Sequence, residues 1–392
     1  MAGWDDCTRP AQTQTGVSGN AMPDEHGAET QGPPLRVLLC PDKPDWSFDN
    51  IANNITRHAG PNRIHKLYMN DVIGNERVFF ETIFLNRIDL CHVFWREDLF
   101  YMLHPHTIDK AAGQLGLEYE TMVRAINSCA FTTSVYDHLF SDDEEMEERL
   151  PSFAMVDGYT VSSPKLRDIY AAKPGMPLPD AIVPDGVDTE RFSPPRVPRS
   201  SPGHHRVGWV GNSAWGKQAK GYDVKGHDRV FLPMLEMLEA RGLAVEASVA
   251  DPRVRQIAFE EMPAFYQALD VFVCTSAMEG TPNPVLEAMA TGVPVVSTDV
   301  GIVAEVFGDL QKPFLLRDAG ADAFADAVSE LLADGDLRIA IGRENRARAL
   351  DWSWERQVRG WWPFWRETLR RTAENRHAIR RQSYLLAQAA IL

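Results

Sequence analysis

From Leu35 onward, short apolar runs alternate with longer stretches whose apolar residues recur at helical spacing. Runs of the first kind read as buried strands and the longer stretches as amphipathic helices laid over them. In the first half the strand-like runs are "LRVLLC" (Leu35 to Cys40), "HKLYMN", "IDLCHVFW", "CAFTTSV" and "FAMVDGYTVSS". Between them "DNIANNITRH" and "ERVFFETIFLN" carry helical spacing. A segment dense in Pro, Gly and Ser, from Ile182 to His205, breaks the pattern, which restarts at "RVGWVGN". The helix-like "DRVFLPMLEMLEARG", strand-like "AVEASVA", helix-like "MPAFYQAL" and wholly apolar "DVFVCT" follow. The alternation predicts an α/β protein of two doubly wound, Rossmann-like domains: residues 35–190, a linker at 191–205, and residues 206–352. Residues 1–34 lack apolar periodicity and predict a disordered leader, while 353–392 predict closing helices with a basic tail. A ligand of such a pair sits in the central cleft, at the carboxyl ends of the strands.

The stretch "SAMEGTPNPVLEAMATGVPVVSTDVG", Ser276 to Gly301, follows the strand "DVFVCT" and sets Glu279 and Glu287 on either side of a stiff turn. The spacing predicts a helix with Asn283 as its N-cap, Pro284 at its first position and Gly292 just past its end. Such a turn delivers free backbone N–H groups and the positive dipole end to the sheet edge, where they favour a phosphate. Glu279 on the loop is placed to accept hydrogen bonds from hydroxyls joined to that phosphate. Glu287, a turn into the helix, can accept from both hydroxyls of a ribose. Ribose, diphosphate and polyhydroxylated ring together describe a nucleotide sugar. Either glutamate alone is as readily explained by the helix dipole, and the proline pair by a plain turn. The restrictive feature is the whole string of strand, Glu, "GTPNP", Glu and "AMATGVPVV".

That string resembles the signature of retaining GT-B glycosyltransferases of family 4, a Glu, seven residues and a second Glu. The resemblance runs from about Leu35 to Trp365. "VPDGVDTERFSP" is similar to the family's interdomain hinge, "VDGYTVSS" to the strand ending its first domain, and "DWSWERQ" to its closing helix. It implies donor binding in the second domain and acceptor binding in the first. By the same resemblance Glu279 contacts donor-sugar hydroxyls, Glu287 the ribose, and the turn of Gly280, Thr281, Pro282, Asn283 and Pro284 the distal phosphate. The family places an Arg after the second domain's first strand and a downstream Lys-Gly on the diphosphate. Here Asn212 follows Gly211 at the Arg position, and Lys225 before Gly226 matches the Lys better than Lys220 before Gly221. Lys217 or Lys220 would then substitute for the Arg. On the acceptor side the glycine-rich turn of the family is replaced by "CPDKPDWSFDN", which brings Trp46, Asp49 and Asn50 forward. Asp137 matches the family's His-Asp pair with Tyr136 in place of the His, His138 follows, and His92 matches a further family position.

The resemblance implies retention of anomeric configuration by front-side attack, with the departing phosphate helping to remove the acceptor proton. The donor is a UDP- or GDP-linked sugar acting as co-substrate, with no cofactor. The acceptor is a sugar, a lipid-linked group or a small molecule. A catalytically silent member that binds nucleotide sugar or a partner enzyme is the competing reading, prompted by Asn212 and Tyr136. An epimerase or phosphorylase on the same architecture is disfavoured by the donor signature and the hinge. No paired carboxylates stand at a strand end to hold a divalent ion, and "SDDEEMEERL" reads as a solvated helix start capped by Ser141, so no metal is expected.

Composition adds limits. Across 392 residues the formal net charge is −15, which excludes nonspecific nucleic-acid binding as the main activity. The five cysteines show no CxxC spacing and read as reduced thiols. With no apolar run near 18 residues and no signal pattern at the start, the expected location is cytoplasmic. From Arg338 to Arg381, however, twelve Arg face five acidic residues. "RGWWPFWRETLRRTAENRHAIRRQSYLL" suits peripheral contact with the inner, anionic face of a membrane. Alternatively Trp361, Trp362, Phe364 and Trp365 pack a closing helix back onto the fold, a reading favoured by Pro363, which interrupts a continuous amphipathic face.

Overall fold

The computed structural model describes residues 32–139, 141–195, 204–216, 220–317, 319–374 and 377–389. The expected leader, the middle of the linker and Lys217 lie outside the described residues. From Pro34 on the chain forms one compact unit. It holds two parallel sheets. The first has strands β1 (Arg36–Cys40), β2 (Arg63–Lys66), β3 (Leu90–Trp95), β4 (Ala130–Val135), β5 (Gly158–Val161) and β6 (Ala181–Ile182), in the spatial order β2-β1-β3-β4-β5-β6. The second has β7 (His205–Val210), β8 (Val245–Ala250), β9 (Val271–Cys274), β10 (Val295–Thr298) and β11 (Leu315–Leu316), in the order β11-β10-β9-β7-β8. Each inner strand is buried on both faces because helices cover both sides, and this is why β4 and β9 lack polar alternation.

Two apolar runs extend beyond their strands. "HKLYMN" leaves the sheet after Lys66 and is helical again at Met69–Val72. Phe153 and Met155 of "FAMVDGYTVSS" are the last turn of the Asp143–Met155 helix, so the strand starts only at Gly158. An apolar run suits a buried helix end as well as a strand, so hydropathy does not separate the two. That helix is capped by Asp142, which forms a capping box with Glu145, and not by Ser141, whose hydroxyl donates to the carbonyl of His138 at 2.7 Å.

The chain crosses between the sheets twice, and the crossings touch. Val187 bridges Ser353 in parallel, donates its N–H to the Trp352 carbonyl at 2.9 Å and accepts from the Trp354 N–H at 3.2 Å. A Cβ on Gly186 would lie 2.7 Å from the Trp354 backbone, so only glycine allows this approach. Beyond the second crossing, Trp361, Trp362, Phe364 and Trp365 are buried against β1, β3 and the Ser47–Arg57 helix. Pro363 lies in the first turn of the Trp361–Ala373 helix, where its missing N–H breaks no bond, so the helix runs on through it. Arg381 of the last helix, His377–Gln388, is fully buried, pairs with Asp157 at 2.6 Å and lies 5.1 Å from the Phe131 ring. The aromatic residues proposed for a membrane surface are thus core residues, and one arginine of the basic tail is buried beside Asp157 and Phe131. No described helix is long and apolar enough to cross a membrane.

Candidate functional site

Strand order reverses between β7 and β9, so the loops that follow these strands diverge and leave a crevice. Lys225 comes from the first loop and Glu279 from the second. Their side chains meet at 2.5 Å, each about one-sixth exposed. The Lys225 ammonium also lies 4.7 Å from the Trp215 ring. The loops are fastened behind this pair. Trp209 Nε1 donates to the Thr275 hydroxyl at 3.0 Å, which donates in turn to the Lys225 carbonyl at 2.8 Å. Gly226 has φ +69°, and a Cβ there would lie 2.1 Å from the Thr275 carbonyl oxygen. Lys220, the other candidate, turns away and donates to Asp142 at 3.0 Å and Glu145 at 3.3 Å on the first sheet's side.

The turn after Glu279 enters the Asn283–Ala290 helix, and Gly292, with φ +75°, closes it in the left-handed conformation as its spacing predicts. Asn283 does not cap this helix. It is the first helical residue, and its amide donates to Asp185 of the first crossing at 3.0 Å. Thr281 Oγ1 accepts from the Asp185 N–H at 3.1 Å. No side chain caps the helix, and the turn itself engages its first N–H groups: that of Asn283 donates to the Thr281 carbonyl and that of Val285 to the Pro282 carbonyl, both at 2.9 Å, while Pro284 has none, so the free N–H groups expected from the sequence are not there. Burial raises the Asp185 carboxyl to about 7 against the opposing effect of its Asn283 bond. Glu287 is raised to about 7 for the same reason, although Tyr266 donates to it at 2.7 Å.

A cavity of about 150 Å³ spans the two sheets beside Glu279. His138, Lys165, Leu166 and Ile169 line it from the first sheet, and Ala277, Glu279, Asp299, Val300 and Gly301 from the second. Burial lowers the His138 imidazole, opposed by Asp137. Lys165 pairs with both the side chain and the carbonyl of Asp299, whose other oxygen accepts from Arg317 at 3.0 Å. Leu139 meets Val224 and Met278 in a small apolar contact across the cleft. A wider open depression of about 560 Å³, lined by residues such as Tyr101, His104 and Lys110, holds none of the residues singled out by sequence.

The structure therefore brings Glu279, Lys225 and His138 together, with Gly280 to Pro284 and Glu287 on the adjoining turn and helix. Other expected residues are placed elsewhere. Asp137 is buried against Arg96 at 3.3 Å and accepts the Leu139 N–H at 3.0 Å, so an ion pair and a turn occupy it. His92 is enclosed between β3 and the closing helix, hydrogen-bonded to Thr132 and Ser134 and packed on Phe94 and Trp361. Burial lowers its pKa to about 3, so it is a neutral core residue with no access to an acceptor. Tyr136 packs its ring 5.2 Å from Phe48 with its hydroxyl buried. Asp49 accepts from Lys66 at 2.7 Å and Tyr68 at 3.0 Å, and Asn50 accepts from Asn54 at 3.1 Å. Trp46 is exposed, with the Lys43 ammonium 3.5 Å from its ring. Gly211 donates to the Ala250 carbonyl at 3.1 Å, and Asn212 Oδ1 accepts from the Ala214 N–H at 3.0 Å, which fixes the loop ahead of Lys225. Lys165, Asp299 and Tyr266 went unnoticed in the sequence, where no local pattern marks them.

Two parallel α/β sheets with a cleft between their carboxyl edges define the GT-B fold. Residues 235–334 match the family described as "Glycosyl transferases group 1". It is 35% identical over 120 residues to D-inositol 3-phosphate glycosyltransferase of Corynebacterium urealyticum, covering 31% of this chain and 27% of that protein. It is 29% identical over 228 residues to the GDP-mannose-dependent alpha-(1-6)-phosphatidylinositol monomannoside mannosyltransferase of Mycobacterium tuberculosis, covering 51% of this chain and 59% of that one. The matches thus span less than two thirds of either relative. Sucrose-phosphate synthase from Thermosynechococcus elongatus shares the fold, with a TM-score of 0.59 at 14% identity over 85% of this chain and 98% of its own.

Proposed function

We propose that the protein is a glycosyltransferase that takes a sugar from a nucleotide-sugar donor, with retention of configuration and without an essential metal. The observation that carries this reading is the Glu279–Lys225 pair, held at 2.5 Å at the head of an uncapped helix and beside a cavity shared by both sheets. The donor diphosphate lies against the Gly280 to Pro284 turn, at the positive dipole end of the Asn283–Ala290 helix, and draws the Lys225 ammonium onto it. Glu279, released from Lys225, accepts from the sugar hydroxyls, and Glu287 accepts from the ribose. Charge that builds on the departing diphosphate meets groups already oriented toward it, which lowers the barrier without reorganisation. His138 enters from the acceptor half, and its lowered pKa keeps it neutral, able to orient a hydroxyl of donor or acceptor. Roles in substrate binding for Asp137 and His92 are not part of this reading. The names of the relatives make GDP-mannose the first donor to try and inositol phosphates the first acceptors.

The direct test is Glu279→Ala. It is expected to lower kcat/KM by about a hundredfold or more, equivalent to about 2.7 kcal/mol, while circular dichroism and the urea midpoint show a folded protein. Transfer at the wild-type rate by this variant, or a wild-type protein that binds UDP and GDP but never turns over any donor, sinks the catalytic reading. Activity is expected to survive EDTA unchanged, and a loss restored by divalent ions rejects the metal-free part.

A further inference from the structure

Gly280 is gripped from two sides. In front of it, a Cβ would lie 2.0 Å from the Ser162 hydroxyl and 2.4 Å from the Tyr136 carbonyl oxygen, both belonging to the first sheet's half. Behind it, a Cβ on Gly301 of its own half would lie 2.0 Å from the Gly280 carbonyl oxygen. The turn is pinned on either flank as well. Glu279 is held by Lys225, and Thr281 Oγ1 accepts from the Asp185 N–H and donates to the Ser162 carbonyl at 3.4 Å. The turn therefore has no room to retreat into its own half, and the Tyr136 obstacle is backbone. Added bulk at this contact is relieved by moving the halves apart.

We infer that Gly280 is a positioning residue for closure: its missing side chain lets the two halves seat against each other and brings His138 onto the same cavity as Glu279. The inference rests on the glycosyltransferase reading for its kinetic consequence but not for its structural one. A methyl group at 280 leaves Lys225 and Glu287 in place on the second half, so nucleotide affinity falls less than turnover. What it removes is the approach of the acceptor half. Ser162, buried and with its hydroxyl aimed at Gly280, meets the same contact from the opposite side.

The test uses Gly280→Ala and Ser162→Val in the full chain, with UDP and GDP as calorimetric probes and small-angle scattering to read separation of the halves. Ser162→Val is expected to bind nucleotide within about threefold of wild type, and both variants are expected to show a larger radius of gyration and to lose kcat, by about tenfold to a hundredfold, well beyond any loss of nucleotide affinity. Ser162 itself has no assigned role at the donor, so Ser162→Val loads the same contact from the acceptor half and keeps the test open if Gly280→Ala fails to fold. Wild-type kcat and wild-type scattering in either folded variant overturn the inference. So does an equal loss of nucleotide affinity and kcat, which makes Gly280 a phosphate contact only. If the wild type binds neither nucleotide, the glycosyltransferase reading fails, and the scattering difference alone still decides whether Gly280 governs closure.

Discussion

Glu287 sits near its proton balance point at neutral pH, because burial raises it to about 7 and one hydroxyl, that of Tyr266, stabilises its anion. Two ribose hydroxyls donating to the carboxylate favour the ionised form, so donor binding near pH 7 is expected to release about half a proton. Calorimetry in two buffers of different ionisation enthalpy reads this directly, and nucleotide affinity rises from pH 6 to a plateau above 7. The empty protein shows the opposite trend. A carboxyl whose folded pKa is raised contributes stability below its unfolded value, and that stability is lost as pH rises through the folded value. The window runs from about 4.5 to just above 7 for Glu287, with Asp185 adding a loss of the same sign. At about 1.4 kcal/mol per unit, Glu287 accounts for at most about 3 kcal/mol. Thermal melts of Glu287→Gln are expected to show a shallower decline between pH 5 and 8 than wild type. Linear sequence exposed Glu279, Glu287 and Lys225 because a strand, a turn and a helix fix their places locally. It did not expose that Asp137 faces Arg96 while its neighbour His138 faces the cavity, since Arg96 lies 41 residues away. Lys165 and Asp299 are 134 residues apart, so no local spacing could have paired them.

The two final helices show how an element's composition and its environment can point in opposite directions. Trp and Arg together suit a membrane surface, yet here the rings complete a core and Arg381 satisfies the buried Asp157. Hydropathy was silent on this because a wide apolar face binds lipid or protein equally well. Asp157 also accepts the Phe131 N–H at 2.7 Å, so removing the arginine strands a carboxylate at the base of β4. Arg381→Ala, or truncation after residue 376, is expected to lower folding stability by about 3–5 kcal/mol, read as a shift of the urea midpoint at constant slope. Unchanged stability would show that the last helix is an appendage.

Across the whole molecule the cleft is shut. Its cavity of about 150 Å³ is smaller than the roughly 300–1,000 Å³ of ordinary ligand pockets, so the donor proposed above is expected to enter only after the halves part. Two lysines form ion pairs of reversed polarity that resist that parting: Lys165 of the first half with Asp299, and Lys220 of the second with Asp142 and Glu145. Lys220→Ala is expected to speed nucleotide association severalfold in stopped-flow mixing at low salt, and the gain should shrink at high ionic strength. An association rate indifferent to both would leave the apolar contact of Leu139, Val224 and Met278 as the restraint.

The burial of Trp361 and Trp365 under β3 also sets a timetable for synthesis. His92 and Phe94 emerge from the ribosome early, but the indole rings that cover them come more than 260 residues later in the sequence. At about 5–20 residues per second, the first half spends roughly ten seconds to a minute as an unfinished nascent chain with part of its core open to water. Until Trp361 and Trp365 arrive, that apolar patch is a site for chaperones or for association between nascent chains.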